Sequence, residues 1–141
     1  MADAKNTIQK ELILLDHVVE YHRVFLKIFM NGANGYNPEQ RHTYDLVVRV
    51  DDRIVKVFFG GVPPIADWYL IPLPLDIIQG KQKIVVSLSV TGSPDAGHNY
   101  AVIYGDANAA TRFSSFNGQK ADLSLYDGIQ TGEYMIRLEY Q

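Results

Sequence analysis

The stretch KIVVSLSV, residues 83–90, sets Ile84, Val86, Leu88 and Val90 on one side and Val85, Ser87 and Ser89 on the other. An apolar residue at every second position fits a half-buried β-strand, because successive side chains of an extended chain point to opposite faces. The same period returns in YHRVFLKIFMNG, where Val24, Leu26, Ile28 and Met30 alternate with Arg23, Phe25, Lys27 and Phe29. It returns again in GEYMIRLEY, with Tyr134, Ile136 and Leu138 on one side and Met135, Arg137 and Glu139 on the other. HTYDLVVRV and RIVKVFF are separated by Asp51-Asp52, which predicts a tight hairpin, and the second run stops at Gly60-Gly61. WYLIPL and NYAVIYG add two more strands. Residues 8–22 fit a strand or, through Ile8, Leu12, Leu15 and Val19, a helix; strand is the preferred reading. The sum is eight or nine strands without a crossover helix. Two antiparallel sheets packed face to face, an all-β sandwich, bury their apolar sides.

With 141 residues, 47% of them hydrophobic, residues 1–141 fit one domain around a single core. Two stretches read as long loops, 31–41 and 104–132. The second is too long to be structureless inside a compact domain, so a short strand is expected around Arg112 to Phe116, closed by Asn117-Gly118. DLSLYDGIQ reads as a loop or a single helical turn. A formal net charge of −3 offers no positive field for a phosphate backbone, so nucleic acid is not an expected partner. Arg41, Arg49, Arg53 and Lys56 are interspersed with acids, the pattern of a solvated face. The absence of cysteine rules out disulfides, thiolate metal sites and a cysteine nucleophile. No secretion signal is read at the N-terminus, and no run reaches the roughly 20 apolar residues that span a bilayer, so membrane insertion is not expected. The compartment stays open.

The chain carries no Gly-x-Ser-x-Gly, and GKQK at 80–83 lacks the leading glycine and the Ser/Thr of a phosphate-binding loop. His17, His22, His42 and His98 do not stand at the spacing that presents two imidazoles on one side of a helix, so no metal site is assigned to them. Asp45, Asp67, Asp106 and Glu133 are available as a carboxylate pair, but acids at strand ends and turns belong to any β-domain. No catalytic residue is assigned, and the chain reads as a non-enzyme. In GDANAATRF the oxygen side chains of Asp106 and Asn108 alternate ahead of Thr111 and Arg112, and calcium is the one cofactor such ligands suit. The commoner use of these residues is a turn in which Asp106 and Asn108 bond their own backbone.

Aromatic residues gather in the loop-rich half: Trp68, Tyr69, Tyr100, Tyr104, Phe113, Phe116 and Tyr126. A sugar ring presents an apolar face of C–H groups and a rim of hydroxyls, so its receptor combines a flat aromatic with hydrogen-bonding Asp, Asn or Arg. Trp68, Tyr104, Asp106, Asn108, Arg112 and Phe113 supply these types and are the candidate ligand contacts, with Tyr104 to Phe116 as the contact surface. The competing role for Trp68, the only tryptophan, is packing in the core.

VRVDDRIVKVFFGG, followed by WYLIPLPLDIIQGKQKIVVSLSV and NYAVIYGD, resembles the galactose-binding-like jelly-roll modules appended to bacterial glycoside hydrolases, including enzymes of the β-L-arabinofuranosidase type. The matching positions are Val50, Asp51, Asp52, Tyr69, Pro72, Pro74, Gly80, Lys81 and Ile84 to Val90, and the likeness spans about residues 43–105. Asp52 stands where the family often carries glycine. The resemblance implies a β-sandwich and carbohydrate binding or an accessory role beside a glycan-active protein. Prolines cannot donate to a central ladder, so Pro72 and Pro74 mark an edge strand or a bridge between sheets. The alternative is a structural or assembly protein, viral or on a surface, that forms homo-oligomers through the sandwich, with its aromatics at the interface.

Overall fold

The computed structural model describes residues 7–15, 23–34, 44–92, 99–106, 114–116, 119–120 and 133–141. These form β1 (Ile8–Ile13), β2 (Val24–Asn34), β3 (Tyr44–Val50), β4 (Arg53–Phe58), β5 (Asp67–Leu73), α1 (Leu75–Ile78), β6 (Lys83–Gly92), β7 (Asn99–Ile103), β8 (Gly105–Asp106), β9 (Ser114–Phe116), β10 (Gln119–Lys120), β11 (Glu133–Tyr134) and β12 (Ile136–Tyr140). Eight of these strands, all but β8 to β11, have five residues or more. The first residues settle as strand, since Ile8 to Ile13 pair with Leu88 to Lys83. Phe116 pairs with Gln119, so a short strand does end next to Asn117-Gly118. DLSLYDGIQ lies outside the described residues.

One sheet has the order β10-β9-β1-β6-β3-β4, the other β12-β2-β5 with β7 also on β2, and β8 and β11 make a small ladder. Every pairing described is antiparallel. From β1 to β7 the chain passes back and forth between the sheets, which gives an all-β sandwich. Period-two alternation then decides what is buried. Ile8, Leu12, Leu46, Val48, Val50, Ile84, Val86 and Leu88 of the first sheet meet Val24, Leu26, Ile28, Met30, Ile71, Leu73 and Ile136 of the second in one apolar cluster. Registry keeps the rows aligned: Ile28 lies between Tyr69 and Ile136, and Leu26 between Ile71 and Leu138. Each such side chain contributes about 1.5–3 kcal/mol relative to exposure. Among the described residues no helix is long and apolar enough to cross a membrane.

Pro72 lies on β5, at the edge of its sheet, and Pro74 precedes α1, where the Ile77 N–H donates to the Pro74 carbonyl over 3.1 Å. The segment is thus both edge strand and bridge. The helical turn escaped the sequence reading because four residues carry no period; its role is to bury Ile77 and Ile78 as the chain changes sheets.

Asp51 and Asp52 have φ of 46° and 67°, as a two-residue hairpin turn of the right twist demands. Glycine would suit position 52 equally, since it adopts positive φ without steric cost. Asp51 is also tied to the neighbouring strand β6 and the turn before it. Its N–H donates to the Val85 carbonyl (2.9 Å), its Oδ1 accepts from the Val85 N–H (2.9 Å), and Lys81 Nζ donates to its Oδ2 at 2.7 Å. Burial alone pushes the carboxyl's pKa up, but the Lys81 and Val85 hydrogen bonds and the Lys81 charge outweigh it, leaving Asp51 below its ordinary value. Gly32 is required for a different reason. A Cβ there would stand 1.7 Å from the Val62 carbonyl oxygen, and the Gly32 N–H donates to the Pro63 carbonyl at 3.0 Å.

Gly32→Ala forces β2 away from the 62–63 segment, and its urea midpoint should fall by the equivalent of at least about 1–3 kcal/mol, as for other overpacked cores. An unchanged midpoint would refute the close approach. For Asp51, a depressed folded pKa means stability that is present above about pH 4 and lost as pH falls through the folded value. Asp51→Asn should therefore cost stability at neutral pH, within the roughly 0.2–1 kcal/mol typical of partly exposed ion pairs. The deficit relative to wild type should shrink as the pH is lowered below about 4 in parallel denaturation series.

Candidate ligand-binding face

The alternation that sends Leu26, Ile28 and Met30 into the core turns Phe25, Lys27, Phe29 and Asn31 of β2 outward. Registry sets Trp68 and Leu70 of β5 beside Phe29 and Lys27, and Arg137 and Glu139 of β12 beside Lys27 and Phe25. The outer side of the second sheet is therefore aromatic and charged. Phe29 stands at its centre. The Trp68 ring packs edge-on against it, 5.4 Å between centroids at 69°, and the Tyr104 ring does the same at 5.1 Å and 75°. Main-chain bonds fix this row: the Phe29 N–H donates to the Met135 carbonyl (3.0 Å), the Tyr104 N–H to the Phe29 carbonyl (3.1 Å), and the Met135 N–H to the Tyr104 carbonyl (2.8 Å).

Two cations border the tryptophan. Lys27 Nζ lies 5.0 Å from the Trp68 ring centre, and the Arg137 guanidinium 5.3 Å from it. Lys27 also has Glu139 Oε1 at 3.9 Å. Trp68 is half-buried, Arg137 is exposed, and Tyr104 keeps 37% of its surface open. The main-chain N–H of Trp68 donates to Asp67 Oδ1 at 2.7 Å. Asn31 Oδ1 is buried without a hydrogen-bond partner among the described residues. Tyr69 points the other way, and its hydroxyl donates to the Ile65 carbonyl at 2.8 Å. Burial, and then the Asp67 charge, push its pKa up.

Of the residues singled out in the sequence, the structure brings Trp68 and Tyr104 together through Phe29. Trp68 is neither a core residue nor free-standing; it sits on the outer face with one edge packed. The Asp106 main chain pairs with Glu133 in the small ladder. Asn108, Arg112 and Phe113, and all four histidines, lie outside the described residues. Lys27, Phe29 and Arg137 were missed as a group, although the alternation of their strands already marked each as outward. Three of the four acids considered as a catalytic pair have other engagements: Asp45 Oδ1 accepts from the Gly60 N–H at 2.9 Å, Asp67 from the main-chain N–H of Trp68, and Glu133 from the Ser114 hydroxyl. Ser114, only 4% exposed, in turn accepts from the Tyr134 N–H at 3.0 Å, while Lys10 Nζ donates to the Tyr134 carbonyl at 2.6 Å. This polar node ties β1, β9 and β11. Among the described residues no three His, Cys, Asp or Glu gather to hold a metal ion.

An open cleft of about 280 Å³ runs between β1 and β12, lined by Leu12, Leu15, Leu138 and Tyr140 among others. Its rim leaves Ile13 and Leu15 exposed. No protein-family model matches the chain, and no curated protein matches its sequence.

Phe29→Ala removes the ring on which both neighbours rest. It should destabilise the protein by about 3–5 kcal/mol if the site behaves as core and by less in proportion to its partial exposure. The emission of Trp68, the only tryptophan, should shift to the red as its packed edge meets water. An emission spectrum identical to wild type would contradict the packing described.

Proposed function

We propose that this chain is a non-catalytic β-sandwich binding module whose ligand is carbohydrate, and that its contact face is the outer side of the sheet built on β2. The observation that carries the reading is the row in which Trp68 and Tyr104 both pack edge-on against Phe29. Edge-on packing holds the rings upright and keeps part of each open, the arrangement a sugar's C–H face can stack against. Lys27, Arg137 and Glu139 add hydrogen-bonding groups at the margin. All but Tyr104 stand on strands, whose rigidity lowers the entropy lost on binding. The resemblance of residues 43–105 to galactose-binding-like modules supports the same reading. Asp106, Asn108, Arg112 and Phe113 follow Tyr104 in the sequence and belong to the same proposed set of ligand contacts.

The alternative is assembly with a second copy, favoured by one observation: Ile13 and Leu15 stay exposed, at 64% and 51%, beside the apolar cleft.

A glycan array with labelled protein tests the choice. Selective binding is expected, weakened about tenfold, or 1.4 kcal/mol, in Trp68→Ala and to a lesser degree in Tyr104→Ala, both still folded by circular dichroism. Binding that survives both substitutions intact would discard this face. A blank array, together with a dimer in sedimentation, would replace the carbohydrate reading with assembly.

A further inference from the structure

Resting on that reading, we infer that the saccharide this face takes is acidic, its carboxylate or sulfate group held between Arg137 and Lys27 while a sugar ring lies against Trp68. The first reason is a conflict built into the sheet. Arg137 on β12 and Lys27 on β2 are direct cross-strand partners, and like charges so placed repel each other. Glu139 relieves Lys27 in part from 3.9 Å, but no carboxylate among the described residues lies within ion-pair distance of Arg137. An anion between the two cations removes the repulsion. A local arrangement that opposes the stability of its own fold marks a place kept for function.

The second reason is what already lies against the tryptophan. With Lys27 and Arg137 about the Trp68 ring, a neutral sugar that stacks there has to displace cations and offers them only uncharged hydroxyl acceptors in return. An acidic sugar gives Arg137 a planar, bidentate partner, the geometry a guanidinium suits best, and so offsets the lost ring contact with a stronger charge-assisted one.

Trp68 is the only tryptophan, so its fluorescence reports on this face alone. Titrations would use oligogalacturonate, its fully methyl-esterified form, a sulfated galactan oligosaccharide, the matching neutral galactan, and polyglutamate. The acidic saccharides should bind at least about tenfold more tightly than their neutral counterparts, with affinity that falls as salt is raised. Preference for oligogalacturonate or for the sulfated galactan identifies the acidic group. Arg137→Met, which keeps the apolar stem, should bring the acidic saccharides down to the affinity of their neutral counterparts; Arg137→Lys should restore part of the preference. Equal affinity for the methyl ester and the free acid would overturn the acidic assignment while leaving carbohydrate binding in place. Silence toward every saccharide, charged or neutral, would overturn both. Polyglutamate binding as tightly as oligogalacturonate would show simple charge attraction and overturn the sugar half of the inference.

Discussion

Strand β2 hydrogen-bonds to β5 along one edge and to β12 and then β7 along the other, and nearly everything else in the second sheet is placed by that pairing. Its eleven residues, about 35 Å of extended chain, keep registry with β12 and β7 along one edge, and Val24 to Met30 keep it with β5 along the other. A slip of one residue would turn Leu26 and Ile28 to water and Phe29 to the core. The same alternation therefore fixes the apolar interior and the aromatic exterior at once. The candidate face and the core are two sides of one strand.

Two close approaches hold that strand in place. On one side Gly32 lets the 62–63 backbone come within hydrogen-bonding distance, which only a residue without a Cβ allows at that spot. On the other, the main chain at Phe29 is linked to both Met135 and Tyr104, so β12 and the end of β7 meet against it. Tyr104 reaches its place through these backbone bonds and needs no loop to present it. In the opposite sheet, the link from Asp51 to Lys81 and Val85 gives the β3–β4 hairpin a fixed position relative to β6.

The sandwich was legible because its signals are local. Alternation in residues 24–30 and 84–90 names both the strands and their buried sides, and Asp51-Asp52 names its own turn. The four-residue turn after Pro74 was not legible, since a helix that short shows no pattern and is stabilised by burying Ile77 and Ile78 in a core the rest of the chain must build. The candidate face was legible only in fragments. Chain proximity suggested Tyr104 to Phe116 as one surface, whereas Phe29, Trp68, Tyr104 and Arg137 come together from four separate places. Their meeting depends on which strands pair and in what register, and that is decided by the whole core. Each was nonetheless marked as outward-facing or aromatic in its own segment.

Pro72 has one more consequence. The Phe29 backbone groups turn away from β5, so on β2 the even-numbered residues face it and on β5 the groups of Trp68, Leu70 and Pro72 point outward, off the sheet. Any strand arriving from another molecule would meet a ladder with a missing donor at Pro72. Leu70 beside it is 48% exposed and would otherwise invite such pairing. At this edge, crowded copies of the protein can lie side by side without one sheet growing into the next, which protects against fibrous aggregation where local concentration is highest.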